Sequence, residues 1–241
     1  MYGLVKDIPI EDRNCTIYCP PFSLKETQRF PVIYLNGGSE MKSLLVDIME
    51  KIEPYFDSKI IPFFAVTVSP VQWNVDYPPW DSPAVSSKGD PFSGGANHYL
   101  SYLVDTVKPR IDSLFPTLSS PKDTAMIGYS LGGLFSLYSL YCRQEFGKIG
   151  SLSGSLWFPN WMEFMEAHQP LHNGSKIYLS LGRAEEHIRN PIMASVGHCT
   201  RKAELLLLQS NVESVTLEWN NGGHFKDIPE RFIKSILWLM H

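Results

Sequence analysis

Three short stretches hold the groups of this chain that could do chemistry together: a serine between glycines, a histidine after glycines, and a pair of glutamates. In Gly128-Tyr129-Ser130-Leu131-Gly132-Gly133 the serine stands where an apolar strand pattern gives way to a helical one. A sharp strand-to-helix turn needs small residues two before and two after the serine, because neighbouring backbone comes close. Gly128 and Gly132 meet that need. The N–H groups that open the following helix, Leu131's first, can then stabilise an oxyanion forming beside Ser130. A serine hydroxyl attacks a carbonyl only when a base takes its proton. His224, in Asn220-Asn221-Gly222-Gly223-His224-Phe225, lies in a loop between the last expected strand and the last expected helix, where such a base belongs in this chain order. The other histidines read as solvated or helix-surface groups, and none forms a metal-like pair.

The third group should be a carboxylate accepting from the far imidazole nitrogen. From Leu131 to Phe225 the chain has no aspartate, so an acid between serine and histidine must be a glutamate. Glu145, Glu163, Glu166 and Glu204 fall in expected helices or at their ends, and Glu213 opens a strand. Glu185 and Glu186 follow directly on a strand in Leu179-Ser180-Leu181-Gly182-Arg183-Ala184-Glu185-Glu186. Glu218 ends the strand before the histidine loop. Glu185 is preferred, with Glu186 and Glu218 as alternatives. A second oxyanion donor is expected from Pro31-Val32-Ile33-Tyr34-Leu35-Asn36-Gly37-Gly38, an early buried strand running into two glycines, and the Gly38 N–H is the candidate.

These groups need a scaffold in which short apolar strands alternate with longer helices, and the chain has that rhythm. Strands are expected at Thr16–Cys19, Pro31–Leu35, Phe63–Ser69, Thr124–Tyr129, Ile149–Leu152, Lys176–Leu181 and Val212–Trp219. Helices are expected at Glu40–Ile52, Asn97–Phe115, Leu131–Arg143, Pro191–Gln209 and Ile228–Met240. Pro109 should kink the second helix, and Asp227 is placed to cap the last. The alternation describes an α/β fold: a mostly parallel, twisted sheet with helices on both faces, formed by residues 1–241 as a single domain.

The chain's 241 residues are 44% hydrophobic and carry a formal net charge of −4, an ordinary globular composition. That balance, without long basic runs, argues against nucleic acid or an anionic membrane as a partner and for a small molecule. No apolar stretch is long enough to span a bilayer, and Met1 to Asp7 shows no signal-peptide pattern. The four cysteines, Cys15, Cys19, Cys142 and Cys199, lack metal-ligand spacing and read as reduced thiols of a cytoplasmic protein. From Pro70 to Gly95 run five prolines, three glycines, Trp73, Tyr77 and Trp80, without helical or strand period. A segment this long without period is expected to be a folded, pocket-lining loop, over residues 70–96. With Trp157 and Trp161 of the stretch after the expected strand Ile149–Leu152, Trp73, Tyr77 and Trp80 are candidates to form an aromatic cleft for an aryl or acyl group. Arg183 and Lys88 are the cations expected near its mouth.

At these residues the chain resembles the esterase-type α/β-hydrolases, which include enterochelin and bacillibactin esterases, S-formylglutathione hydrolases and mycolyltransferase antigens. The likeness rests on Gly128 to Gly133, Val32 to Gly38, Ser151 to Trp157 and Gly222-Gly223-His224. It implies the α/β-hydrolase fold, a serine nucleophile at Ser130, a base at His224, and no metal or organic cofactor. Related enzymes often place the acid three residues after a glycine, which implies Glu185 after Gly182. The expected activity is hydrolysis of a carboxylic ester, such as a siderophore or another aryl or acyl ester. The rivals are a carbohydrate-ester or thioester hydrolase or acyltransferase on the same site, and a catalytically silent hydrolase fold that binds a ligand or a protein. Oligomeric state is left open.

Overall fold

The computed structural model describes residues 1–21, 28–68, 70, 72–87 and 89–241. Its strands are β1 (Leu4–Ile10), β2 (Arg13–Cys19), β3 (Val32–Asn36), β4 (Phe64–Val68), β5 (Thr124–Tyr129), β6 (Lys148–Leu152), β7 (Lys176–Gly182) and β8 (Ser214–Asn220). They form one sheet in the order β1-β2-β4-β3-β5-β6-β7-β8. The β1–β2 and β2–β4 pairs are antiparallel, and all others are parallel.

The central strands are buried on both faces because both sets of alternating side chains are apolar. Val32 and Tyr34 of β3 face one core and Ile33 and Leu35 the other. In β5, Met126 joins the first core while Ala125, Ile127 and Tyr129 join the second. Helices α1 (Met41–Ile52) and α6 (Ile228–Met240) cover the second face. The first is covered by α2 (residues 96–114), α3 (Leu131–Cys142), α4 (Trp161–Ala167) and α5 (Val196–Leu208).

Four departures from the sequence reading have physical causes. Strand β1 escaped it because, at a sheet edge, most of its side chains are exposed and it contains Pro9. Helix α2 widens into a π-helical segment over Tyr102–Val107 rather than simply kinking. That segment sits directly before Pro109, whose ring crowds the carbonyl four residues earlier and which has no N–H to donate. The expected helix over Pro191–Gln209 is two helices, Pro191–Ala194 and α5, parted at Ser195. Asp227 does occupy the N-cap of α6, but at φ 56° its side chain makes no capping bond; its carbonyl accepts from the Arg231 N–H instead. Of the expected strand Phe63–Ser69, Ser69 lies outside the described residues, as does Lys88.

Strand β3 is the hinge of the topology: the chain leaves it to form β4 on one side and returns to place β5 on the other. Ligand crevices in such sheets open at the carboxyl ends of the strands flanking that reversal. The register sets Asn36 of β3 opposite Gly128 of β5, and Tyr129 opposite Leu152 of β6. The loops after β3, β5 and β6 therefore emerge side by side.

Candidate active site

Ser130 lies between the end of β5 and the start of α3 with φ 58° and ψ −121°, a strained conformation for a residue with a side chain. The turn is tight enough that a Cβ on Gly128 would stand 2.1 Å from the Gly132 carbonyl oxygen, and one on Gly132 would stand 2.8 Å from that of Asn36. Both glycines are therefore required by close backbone approach. The turn is held by its own peptide groups: Ser130 N–H donates to the Leu152 carbonyl, and the Ser130 carbonyl accepts from Gly133, Leu134 and Ser155. Leu131 N–H, at the start of α3, has no acceptor within the helix.

The glutamates are separated by their partners. Glu185, 4% exposed, accepts the His224 Nδ1 hydrogen bond on Oε2 at 2.7 Å. Its Oε1 accepts from the Gly182 N–H at 2.8 Å, Ser153 Oγ at 2.6 Å and Arg231 Nη1 at 3.0 Å. Burial alone would raise the Glu185 pKa, but hydrogen bonds from His224, Ser153 and Gly182 hold it below the ordinary carboxylate value. Glu186 instead forms a two-pronged pair with Arg201, both contacts at 2.9 Å. Glu218 accepts from Tyr178 of β7 and Lys234 of α6.

Residues beyond the sequence reading complete the assembly. Arg231, 1% exposed, donates to Glu185, Ser153, the Tyr129 hydroxyl and the Gly223 carbonyl. Tyr129 in turn donates to the His224 carbonyl at 2.5 Å. One guanidinium thus ties together the acid, the residue before Ser130 and the histidine loop. Its signal in the sequence was a basic residue inside the apolar stripe of the last helix, a position that demands a buried partner. Ser155 Oγ lies 3.4 Å from Ser130 Oγ.

Ser130 and His224 face two adjoining cavities. The larger, about 760 Å³, runs between α1 and the start of α6. The smaller, about 280 Å³, extends toward Trp157, Ile188 and Val196. Among the described residues no hydrogen bond joins Ser130 Oγ to His224; the hydroxyl's partner is Ser155. On the other wall, Tyr77 donates its hydroxyl to the Gly37 carbonyl at 3.0 Å, which turns the adjoining Gly38 N–H the opposite way. There Glu40 Oε1 accepts it at 3.2 Å.

The aromatic candidates divide. Trp73 lines the larger cavity and Trp157 the smaller. Tyr77 and Trp161 are wholly buried and cannot touch a ligand in this arrangement: Tyr77 packs on Tyr99 and Phe135, and Trp161 on Phe164. Trp80 packs on Phe158 and Phe164 and donates its indole N–H to the Pro159 carbonyl. Tyr77 and Trp161 are core, with Trp80 half-buried against it, because large rings on closely spaced turns bury more area against one another than against solvent. Arg183 also departs from expectation, lying at another hollow beside β8 and over the Trp219 ring. No group of His, Cys, Asp or Glu able to hold a metal occurs among the described residues. No described helix is long and apolar enough to cross a membrane.

The Esterase family model matches residues 9–225. The chain belongs to the esterase family. Its class of reaction is carboxylic ester hydrolysis. This esterase is 28% identical to the uncharacterised protein YbbA of Bacillus subtilis (strain 168), across 99% of this chain and 97% of that protein. It is 30% identical to the siderophore triacetylfusarinine C esterase of Aspergillus fumigatus over 39% of this chain, a match spanning 35% of that enzyme. Its fold matches that of an IroE-like serine hydrolase from Shewanella oneidensis with a TM-score of 0.84 at 17% identity, covering 98% of this chain and 80% of the other.

Proposed function

We propose that this esterase cleaves its substrate through an acyl-enzyme on Ser130. His224 takes the Ser130 proton as the hydroxyl attacks the ester carbonyl, then gives it to the departing alcohol; water repeats the sequence to release the acid. Glu185 stays ionised, fixes the His224 ring through Nδ1 and stabilises the imidazolium. The Leu131 N–H, and the Gly38 N–H once Glu40 releases it, stabilise the oxyanion. The observation that carries this reading is a strained serine turn opening into the same cavities as a histidine whose Nδ1 is held by a buried carboxylate.

By analogy with its relatives, the substrate class is an ester-linked iron chelator or a similar acyl ester. Trp73 and Trp157 are proposed as contacts within one domain over residues 1–241, with the loop at 70–96 forming part of the wall. Four free cysteines accord with a reducing, cytoplasmic compartment. The test is Ser130→Ala with p-nitrophenyl acetate and a fluorophosphonate probe. The variant should fold, lose label, and drop in kcat/KM by roughly 10⁴-fold or more. Retained turnover or labelling elsewhere rejects the assignment.

A further inference from the structure

The two cavities that meet at Ser130 are walled chiefly by apolar side chains, and the unbalanced charges that face them are negative. Helix α1 and its N-cap turn Glu40, Leu44 and Asp47 toward the larger cavity at three- to four-residue steps, while Ile228, Pro229 and Phe232 stand opposite. That spacing places both carboxylates on one helix face, about two turns apart. Both are exposed. In the smaller cavity the charge of Glu185 is already matched by Arg231. Among the described residues neither cavity is lined by lysine or arginine, and Arg183 belongs to the hollow beside β8. Phe225, 85% exposed at the rim of both cavities, adds an apolar contact where substrate must enter.

We infer that this site selects esters of zero or positive net charge and discriminates against anionic ones, with Glu40 and Asp47 as the discriminating residues. The inference rests on Ser130-dependent ester hydrolysis. A unit negative charge ~8 Å from one exposed carboxylate loses roughly two- to threefold in binding at a dielectric near that of water, so facing both costs roughly fivefold at low salt. The effect separates two kinds of iron-chelating ester. Three doubly charged catecholates around iron(III) leave a triple negative charge, whereas three singly charged hydroxamates leave none. The groove accepts the second kind and repels the first.

The experiment compares three p-nitrophenyl esters of one acyl length, ending in a tert-butyl group, a trimethylammonium or a carboxylate, at low ionic strength. At the same time, iron-loaded tris-catecholate and tris-hydroxamate triesters are compared by product chromatography. The carboxylate ester should show kcat/KM roughly fivefold below the neutral one, with the ammonium ester at or above it. In Glu40→Gln/Asp47→Asn, two isosteric changes at exposed positions, that ratio should rise toward unity, and added salt should do the same in the unaltered protein. If the neutral ester is hydrolysed and Ser130 is labelled, but the carboxylate ester or the catecholate complex is cleaved as fast or faster, the charge selection is wrong. A ratio unchanged by the double substitution removes Glu40 and Asp47 from it. If no ester is cleaved and Ser130 stays unlabelled, the hydrolase reading itself fails and takes this inference with it.

Discussion

Replacing Arg231 by methionine removes a buried charge while keeping an apolar stem of similar reach. Arg231 and Glu185 are 1% and 4% exposed, and the contact between them is 3.0 Å. Removing one partner of such a pair leaves the other in the interior and costs about 3–5 kcal/mol. In a domain of this size that lowers Tm by roughly 6–20 °C, at 2–4 °C per kcal/mol. The loss should depend on pH, and its sign follows from Glu185. A carboxylate whose folded pKa is depressed contributes stability that is complete above its unfolded value, near 4.5, and drains away as pH falls through the lower folded value. The Tm gap between the unaltered protein and Arg231→Met should therefore be full at pH 7 and narrow in acid, as pH falls through the lowered folded value. Calorimetry at both ends of that range reads it directly. Turnover of p-nitrophenyl acetate should fall by up to roughly 10²-fold, since the supports of the His224 loop at Tyr129 and Gly223 are loosened together. Arg231→Lys should recover part of it. A Tm gap that stays the same size from pH 7 down to the acid limit of folding would refute the electrostatic reasoning, and an unchanged rate would refute the link to His224.

The two adjacent glutamates should behave oppositely. Glu185→Gln should lower kcat by roughly 10⁴-fold by favouring the wrong imidazole tautomer, whereas Glu186→Gln should alter it less than twofold and cost under about 1 kcal/mol, as for a surface pair. Steady-state kinetics on both variants decides between them. Tyr77→Phe removes the hydroxyl that fixes the Gly37 carbonyl and should lower kcat roughly tenfold with KM little changed, less than the ~10²- to 10³-fold of losing an oxyanion donor outright. A kcat equal to that of the unaltered protein would remove the Gly37–Gly38 peptide from the oxyanion site.

What could be read along the chain was whatever repeats or crowds locally. Strand and helix periods report which side chains must leave water, so the parallel core strands and α1, α3 and α6 were legible within a few residues of their ends. The requirement for glycine two before and two after Ser130 is likewise local, because one turn brings Gly132 back on Gly128. The absence of aspartate between Leu131 and Phe225 restricted the acid to glutamate before any fold was known.

Partner choice was not local. Glu185 and Glu186 are neighbours of the same type, and only the turn after β7 decides that one is buried against His224 while the other pairs directly with Arg201 at the surface. The same holds for the aromatic residues. Periodicity cannot tell a tryptophan that lines a cavity from one that fills the core beside it, and Tyr77 and Trp161 went to the core while Trp73 and Trp157 did not. Arg231, 46 residues from Glu185, finds it because the first turn of α6 is brought beside the turn after β7. Sequence thus determined which groups were available and which segments carried them. Packing decided which met, because burial makes the worth of a charge or a ring depend on neighbours that the chain brings from far away.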